Sequence, residues 1–469
     1  MEIIHDTENY IELTDQQQDA FQMVLDNKIS ILSGGPGTGK TTTLLKIVGH
    51  FKSENATVKQ AAPTGKAAKQ MTRATGHPAS TIHAMLVCNF ENGQFTFVHN
   101  KHNPLDADLI IIDELSMITT SLMASVFDAI NTSRTKLLMV GDPYQLPSVG
   151  PGAVLRDMLD SGLFPHTELT DIHRSSGEIV KVCHEIKAGR TYTPARCLDL
   201  DAETPVNLIH IECSTPEKTM VAVKKIMCER MPVRGYNPIE DVMVLSPVNV
   251  KGQLSCLSLN RMLRQELNPE KNRNPAEVLA ELKQESIDGA YMKFRTGDKV
   301  IQTKNTKANG VKLDLSFNLD LGAGSKDEIM EIRKDIEQPT YIVNGDMGYI
   351  LEIAGKDMVV KFSEPDRYTT IPLVNNNLLH AYCITCHRAQ GSESPVVIIP
   401  AHRQFNLFMS NSWLYTALSR GKQIVITCGA FDTVERAIRN RSPNNRKTRL
   451  KLRLIQESRR AMEVEFAGI

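Results

Sequence analysis

A chain of 469 residues with 54 basic and 54 acidic side chains is formally neutral, which argues against a protein that holds nucleic acid by bulk positive charge. No N-terminal stretch joins a basic start to an apolar core and a small-residue cleavage site, and no apolar run reaches membrane-spanning length; an intracellular, cytoplasmic chain with no membrane contact is expected. Nine cysteines without a repeated spacing fit reduced, buried thiols better than a disulfide framework, and Cys383 and Cys386 have no second pair to complete a metal or redox site.

The length suggests about three domains. From Leu13 the sequence LTDQQQDAFQMVLD predicts a helix capped by Thr14 or Asp15, with Phe21, Val24 and Leu25 on its apolar side. Gln17 stands just upstream of a phosphate loop, where its amide can pair with the N6 and N7 edge of adenine or simply face solvent. Residues 29–50, ISILSGGPGTGKTTTLLKIVGH, read as strand, glycine-rich loop and helix. Gly34 to Thr41 match the phosphate-cradling pattern: backbone N–H groups turn inward, Lys40 reaches the β and γ phosphates, and Thr41 can hold Mg²⁺.

A second strand at 57–62 ends in Pro63, Thr64 and Gly65, a small-residue turn entering a helix that can meet either a nucleotide or a nucleic-acid phosphate. Ser80 and Thr81 open another helix, which carries His83. In LVCNFENGQFTFV, Asn92 and Gly93 between alternating apolar residues predict a hairpin. Its Phe90, Phe95 and Phe97 are suited either to stack on bases or to anchor the hairpin to its domain.

Residues 108–114, DLIIIDE, form an apolar run ending in two carboxylates, the pattern of a buried parallel strand emerging at its C-terminal edge. Asp113 is placed to hold Mg²⁺ and Glu114 to activate the water that attacks the γ phosphate. The strand KLLMVGD follows, with Gln145 just beyond its tip as a sensor of the γ phosphate. Candidate strands and helices at 205–268 suggest a second α/β domain, whereas 306–340 shows little periodicity and reads as an inserted or mobile loop. Flanking β-like segments at 297–305, 344–353 and 358–362 suggest a small barrel, and 378–400 and 413–429 again read as helix or turn followed by strand. The basic run from Arg436 to Arg460 is a solvated helix face, a frayed tail or a phosphate contact.

Taken in order, LTDQQ, GGPGTGKTT, APTGKAA, STIHAML, IIIDELSM, GDPYQLPSV, LTDIHRS, VLSPVNVKG, AYCITCHRAQGSE and LYTALSR resemble the motifs of superfamily-1 helicases, most closely the RecD-like and Dda-like 5′→3′ DNA helicases. That resemblance implies an α/β fold of two RecA-like P-loop NTPase domains, each a parallel sheet with flanking helices. Residues 1–164 would form the first, with a pin hairpin at about 86–104; 165–294 and 373–431 the second; 295–372 an SH3-like β-barrel insert with a variable loop at about 306–340; and 432–469 a basic tail.

It implies that Gln17 contacts adenine, that Gly35, Pro36, Gly37, Thr38, Gly39, Lys40, Thr41 and Thr42 wrap the phosphates of ATP, and that Glu393 meets the ribose. Lys40, Asp113, Glu114, Gln145, Arg174 and Arg420 would be the catalytic set, with Thr41 and Asp113 on Mg²⁺ and the two arginines reaching from the second domain. The strand track would run through Pro63, Thr64, Thr81 and His83, then Ser246, Pro247, Thr385 and His387, with Phe95 and Phe97 at the pin.

His173 stands where relatives commonly have tyrosine, and Ser419 where threonine is common. The implied activity is ATP-driven unwinding in replication, recombination or repair by a monomer, on single strands and single-strand/duplex junctions, with a single-strand binding protein among the expected partners. A bacterial or phage-infected cell is the implied setting. A protein-displacing translocase, an ATP-regulated subunit of a nuclease complex and an RNA motor stand as alternatives.

Overall fold

The computed structural model describes residues 12–91, 94–171, 177–202, 205–269, 294–312, 335–363, 367–374, 377–441 and 446–467. These fall into two compact units, one formed by Met1–Val223, Asp241–Val248 and Thr385–Ile469, the other by Lys224–Glu240 and Asn249–Ile384. Among the described residues no helix is long and apolar enough to cross a membrane.

In the first unit, strands β1 (Ile29–Gly34), β2 (Val58–Ala62), β3 (Ala79–Thr81), β6 (Leu109–Ile112), β7 (Lys136–Gly141) and β8 (His166–Leu169) form a parallel sheet of order β3-β2-β6-β7-β1-β8. A hairpin of β4 (Cys88–Glu91) and β5 (Gln94–Phe97) stands apart from it. The continuous apolar runs follow from burial on both faces. Ile31, Ile110, Ile112, Leu137 and Met139 point into one core with Met123, Val126 and Leu155 from the helices Thr120–Asp128 and Val154–Ser161. Their neighbours Leu32, Leu109, Ile111, Leu138 and Val140 point into the opposite core with Val24, Leu44 and Ile47 from the helices Asp15–Asp26 and Lys40–Ser53.

The chain then supplies β9 (Leu208–Glu212), passes through the second unit's segment Lys224–Glu240, and returns for β10 (Val242–Ser246) before Asn249 opens the rest of that unit. There β11 (Lys299–Gln302), β12 (Thr306–Lys312), β13 (Asp335–Ile342), β14 (Met347–Ala354), β15 (Asp357–Phe362), β16 (Arg367–Pro372) and β17 (Leu378–His380) form an antiparallel sheet of order β13-β12-β16-β15-β14-β11-β17. Val300, Ile350, Met358, Val360 and Phe362 fill its core. The irregular reading of 306–340 is corrected at both ends. Residues 306–312 and 335–340 are strands paired across a bulge between Ala308 and Gly310, and that order comes from cross-strand partners rather than local pattern. The rest of that stretch, 313–334, lies outside the described residues.

Beside this sheet, Asp298 is fully buried and accepts from Arg264 Nε (2.9 Å), Asn268 Nδ2 (3.0 Å), Arg295 N (2.8 Å), His380 Nε2 (3.2 Å) and the Tyr382 hydroxyl (3.2 Å). Burial opposes its charge, but His380 and Arg264 outweigh that and hold the carboxyl below its usual range.

After the short strand β18 (Cys383–Thr385), β19 (Ser394–Ala401) and β20 (Gly421–Gly429) complete a second parallel sheet in the first unit, whose order there is β10-β19-β20-β9. Cys383 and Cys386 are buried free thiols. The C-terminal run is neither a frayed end nor a wholly solvated face: the helix Leu450–Ala467 sets Leu450 and Leu454 against the first sheet's core.

Candidate nucleotide site and strand track

Parallel strands deliver their loops to one edge of a sheet, and the first sheet places the phosphate loop, Pro63-Thr64, Asp113 and Asp142 there in turn. Gly37 (φ 76°) and Gly39 (φ 86°) adopt the left-handed backbone that lets the loop curl. A Cβ on Gly34 would lie 2.6 Å from Thr38 Oγ1 and 3.0 Å from the Leu169 carbonyl. Gly39 caps the helix Lys40–Ser53 with no side-chain acceptor, which leaves the first-turn N–H groups to an anion. Thr38 Oγ1 donates to Gly35 O (2.9 Å) and lies buried, whereas Thr41 is exposed and Thr42 half-buried. Lys40 Nζ rests on the loop itself, donating to Gly34 O (2.6 Å) and Gly35 O (2.8 Å), so a phosphate has to draw it off two carbonyls.

Asp113 follows β6, and its Oδ1 accepts the N–H of Glu114 at 2.7 Å. Glu114 is a non-glycine residue held at φ 53°, a strained conformation of the kind that clusters at functional sites. Burial raises the pKa of Asp113. Burial and then the neighbouring Asp113 push Glu114 up to about 7, against the opposing charges of Arg420 and Lys40. Asp142, also buried, accepts from the Tyr415 hydroxyl (2.7 Å) and from Tyr144 N (3.0 Å). Gln145 is 9% exposed, and its Oε1 is buried with no hydrogen-bond partner among the described residues.

The second sheet contributes the wholly buried helix Asn411–Leu418 and the arginine just past it. Arg420 is 5% exposed and donates to Thr416 O (3.2 Å), Ser419 Oγ (3.1 Å) and Ser392 O (3.4 Å). Ser419 Oγ thus helps orient the guanidinium. Thr416 Oγ1 accepts from Leu146 N (2.9 Å) and Gln390 Nε2 donates to Leu146 O (3.2 Å), so the loop carrying Gln145 is docked on the second sheet. Tyr415, Thr416 and Gln390 did not stand out in the sequence. The one available signal was polar side chains inside an otherwise apolar helix.

Gln17 is buried in a capping box, its Oε1 accepting Thr14 N (3.1 Å), while the adjacent Gln16 grips Thr170 through Nε2 to Oγ1 (2.8 Å) and Oε1 to the N–H (2.8 Å). Glu393, expected to meet the ribose, pairs with Lys422 at 3.2 Å. Arg174 and His173 lie outside the described residues.

The residues expected to form the track occupy strand ends and helix starts. Thr64 Oγ1 accepts from Ala67 N (3.2 Å) and Thr81 Oγ1 from Ala84 N (3.2 Å), each capping a helix. Pro63 ends β2, His83 lies within the second of these helices, and burial lowers its pKa. Ser246 is fully buried at the tip of β10, its Oγ donating to Val248 O (3.3 Å), with Pro247 between them. Thr385 precedes the short helix Cys386–Ala389, which carries His387; burial and then Arg446 lower that imidazole's pKa. Phe97 is half-buried against the first core, 6.0 Å from the His83 ring, as an anchor would be. The side chain of Phe95 lies outside the described residues.

Residues 12–203 match the model of an AAA domain and residues 380–427 that of a UvrD-like helicase C-terminal domain. The chain is 29% identical over 420 residues to the ATP-dependent RecD2 DNA helicase of Deinococcus radiodurans, covering 89% of this chain and 49% of that protein. It is 26% identical over 471 residues to the RecBCD enzyme subunit RecD of Mycolicibacterium smegmatis, covering 94% of this chain and 75% of the relative. The chain thus spans about half the length of the first of these relatives. Bacteroides Pif1 bound to ssDNA superposes with a TM-score of 0.50 at 17% identity, over 89% of this chain and 92% of that one, and shares its fold. Ten sequence blocks in order, two parallel sheets and matches to an AAA-domain model and a UvrD-like helicase C-terminal model lead to one conclusion: the chain is similar to superfamily-1 helicases, with RecD-like proteins among its relatives.

Proposed function

We propose that the protein is an ATP-dependent DNA helicase that moves 5′→3′ on a single strand and unwinds duplex ahead of it. The observation that carries this reading is the meeting of Lys40, Asp113, Glu114 and Gln145 from the first sheet with Arg420 from the second. Residues Gly35 to Thr42 would bind the phosphates, with Gln17 on the base and Glu393 on the ribose. Two buried carboxyls with raised pKa fit a nearby cation, and Thr41 and Asp113 are the residues that would hold Mg²⁺. When bound, that ion neutralises charge on the β and γ phosphates.

In its ionised form Glu114 orients the attacking water and takes its proton, and Gln145 responds to the γ phosphate. Arg420, together with Arg174, stabilises charge spread over the transferred group. Because Arg420 stands on the second sheet, hydrolysis depends on how the two sheets close, and loss of the γ phosphate releases that closure. Pro63, Thr64, Thr81, His83, Ser246, Pro247, Thr385 and His387 would grip the strand alternately.

The hairpin β4–β5, with Phe95 and Phe97, would serve as the pin, and residues 295–372 as an SH3-like barrel inserted in a second RecA-like domain (165–294 and 373–431) after a first at 1–164. A monomer acting at single-strand/duplex junctions beside a single-strand binding protein is the working form. The test is ATP turnover and strand separation by the isolated chain with and without DNA; turnover without strand separation would favour a protein-displacing translocase. The relationship to a RecBCD subunit favours a second reading, an ATP-regulated component of a nuclease complex, for which the isolated chain would turn over no ATP.

A further inference from the structure

Behind Gln145 lies a small cavity of about 30 Å³, lined by Ser116, Gln145, Pro147, Arg156 and Arg446 among others, with room for one water. Two of its lining residues carry buried oxygens with no hydrogen-bond partner among the described residues, Ser116 Oγ and Gln145 Oε1. The loop that follows Gln145, residues 148–152, has two glycines and a largely exposed Val149, and it belongs to neither strand nor helix.

What gathers this loop comes from the far end of the chain. Arg446 donates to Ser148 O (2.6 Å), Gly150 O (2.8 Å) and Gly152 O (2.9 Å), and its Nη1 lies 3.4 Å from Ser148 Oγ. Among the described residues the loop has two further ties, Thr120 N to Pro151 O (3.2 Å) and Ser148 Oγ to Gly150 O (3.1 Å). The arginine is itself fixed: Thr448 Oγ1 donates to Asp157 Oδ2, and Leu450 and Leu454 are packed into the first core. The guanidinium spreads these bonds over two nitrogens in a fixed planar fork, a geometry that the single nitrogen of an ammonium on a flexible stem does not reproduce.

We propose that the C-terminal segment from Arg446 onward is a strap that holds the 148–152 loop, and through it the amide of Gln145, in the orientation hydrolysis requires. Arg446 is then a positioning residue acting through Gln145. This rests on reading the chain as an ATP-driven helicase.

The test measures DNA-stimulated ATP turnover by the full chain as wild type, Arg446→Ala, Arg446→Lys, Gln145→Ala and the Arg446→Ala/Gln145→Ala double variant, with thermal melting of each. Arg446→Ala is expected to lower kcat about ten- to a hundredfold while KM for ATP changes less than about threefold. Arg446→Lys should recover little of the loss. In the Gln145→Ala background the second substitution should cost nothing further in kcat.

A lowered melting temperature with unchanged kcat per folded molecule, or losses that multiply in the double variant, would overturn the proposal. If Arg446→Ala does not fold, Thr448→Val loosens the same strap and its loss of kcat should likewise vanish beside Gln145→Ala; persistence of that loss would overturn the proposal too. A wild-type chain that turns over no ATP would instead reject the helicase reading, and the strap's catalytic role with it.

Discussion

Glu114 combines a left-handed backbone with a carboxyl whose pKa rises from 4.5 to about 7. A raised folded pKa means the folded state binds protons more tightly than the unfolded one between these values, so the protein loses stability as pH rises from 4.5 through about 7. Glu114→Gln removes that titration. The variant should therefore melt higher than wild type at pH 8 and close to it at pH 4.5, although its ATP turnover is abolished; an equal difference at both pH values would show that Glu114 is already ionised throughout. Lys40→Ala frees the Gly34 and Gly35 carbonyls and removes the charge that would meet the phosphates. It should abolish DNA-stimulated hydrolysis while strand binding, measured by fluorescence anisotropy, stays within about threefold, since the track residues are untouched.

Among the elements, the hairpin β4–β5 and the antiparallel sheet each carry a prediction. Phe97 is half-buried against the first core, so Phe97→Ala should cost about 1–2 kcal/mol of stability by urea unfolding. Replacing Phe95 and Phe97 together should impair unwinding more than ATP turnover; equal losses would make the hairpin an anchor only. In the second unit, Asp298→Ala leaves Arg264 buried without its carboxylate and should destabilise by about 3–5 kcal/mol, whereas a neutral outcome would mean that solvent already reaches the site.

The elements also show which physics is local enough to read from a sequence. The run Leu109–Ile112 and the loop Gly34 to Thr41 were legible because burial on both faces and phosphate geometry impose contiguous patterns. The ends of 306–340 were not, because β12 and β13 acquire order only by pairing with each other and with β16. Nor was the hydrogen bond from Tyr415 to Asp142, whose partners lie 273 positions apart. The C-terminal run showed only its charge, while its placement depends on Arg446, Thr448 and two leucines among many other basic residues.

At the scale of the whole molecule, neutral net charge leaves strand binding to local contacts rather than bulk attraction. The proposed 5′→3′ direction rests on the resemblance to RecD-like and Dda-like helicases, and substrates with a single-stranded tail on one end or the other should show unwinding of the 5′-tailed form alone; equal unwinding of both would reject the direction. The central claim is that the nucleotide site is completed by residues from both parallel sheets, so that hydrolysis and movement are one event. Its most direct test is DNA-stimulated ATP turnover by Arg420→Ala with nucleotide affinity measured alongside. The account predicts a fall in kcat of about a thousandfold with ATP binding nearly intact, and wild-type turnover by that variant would contradict it.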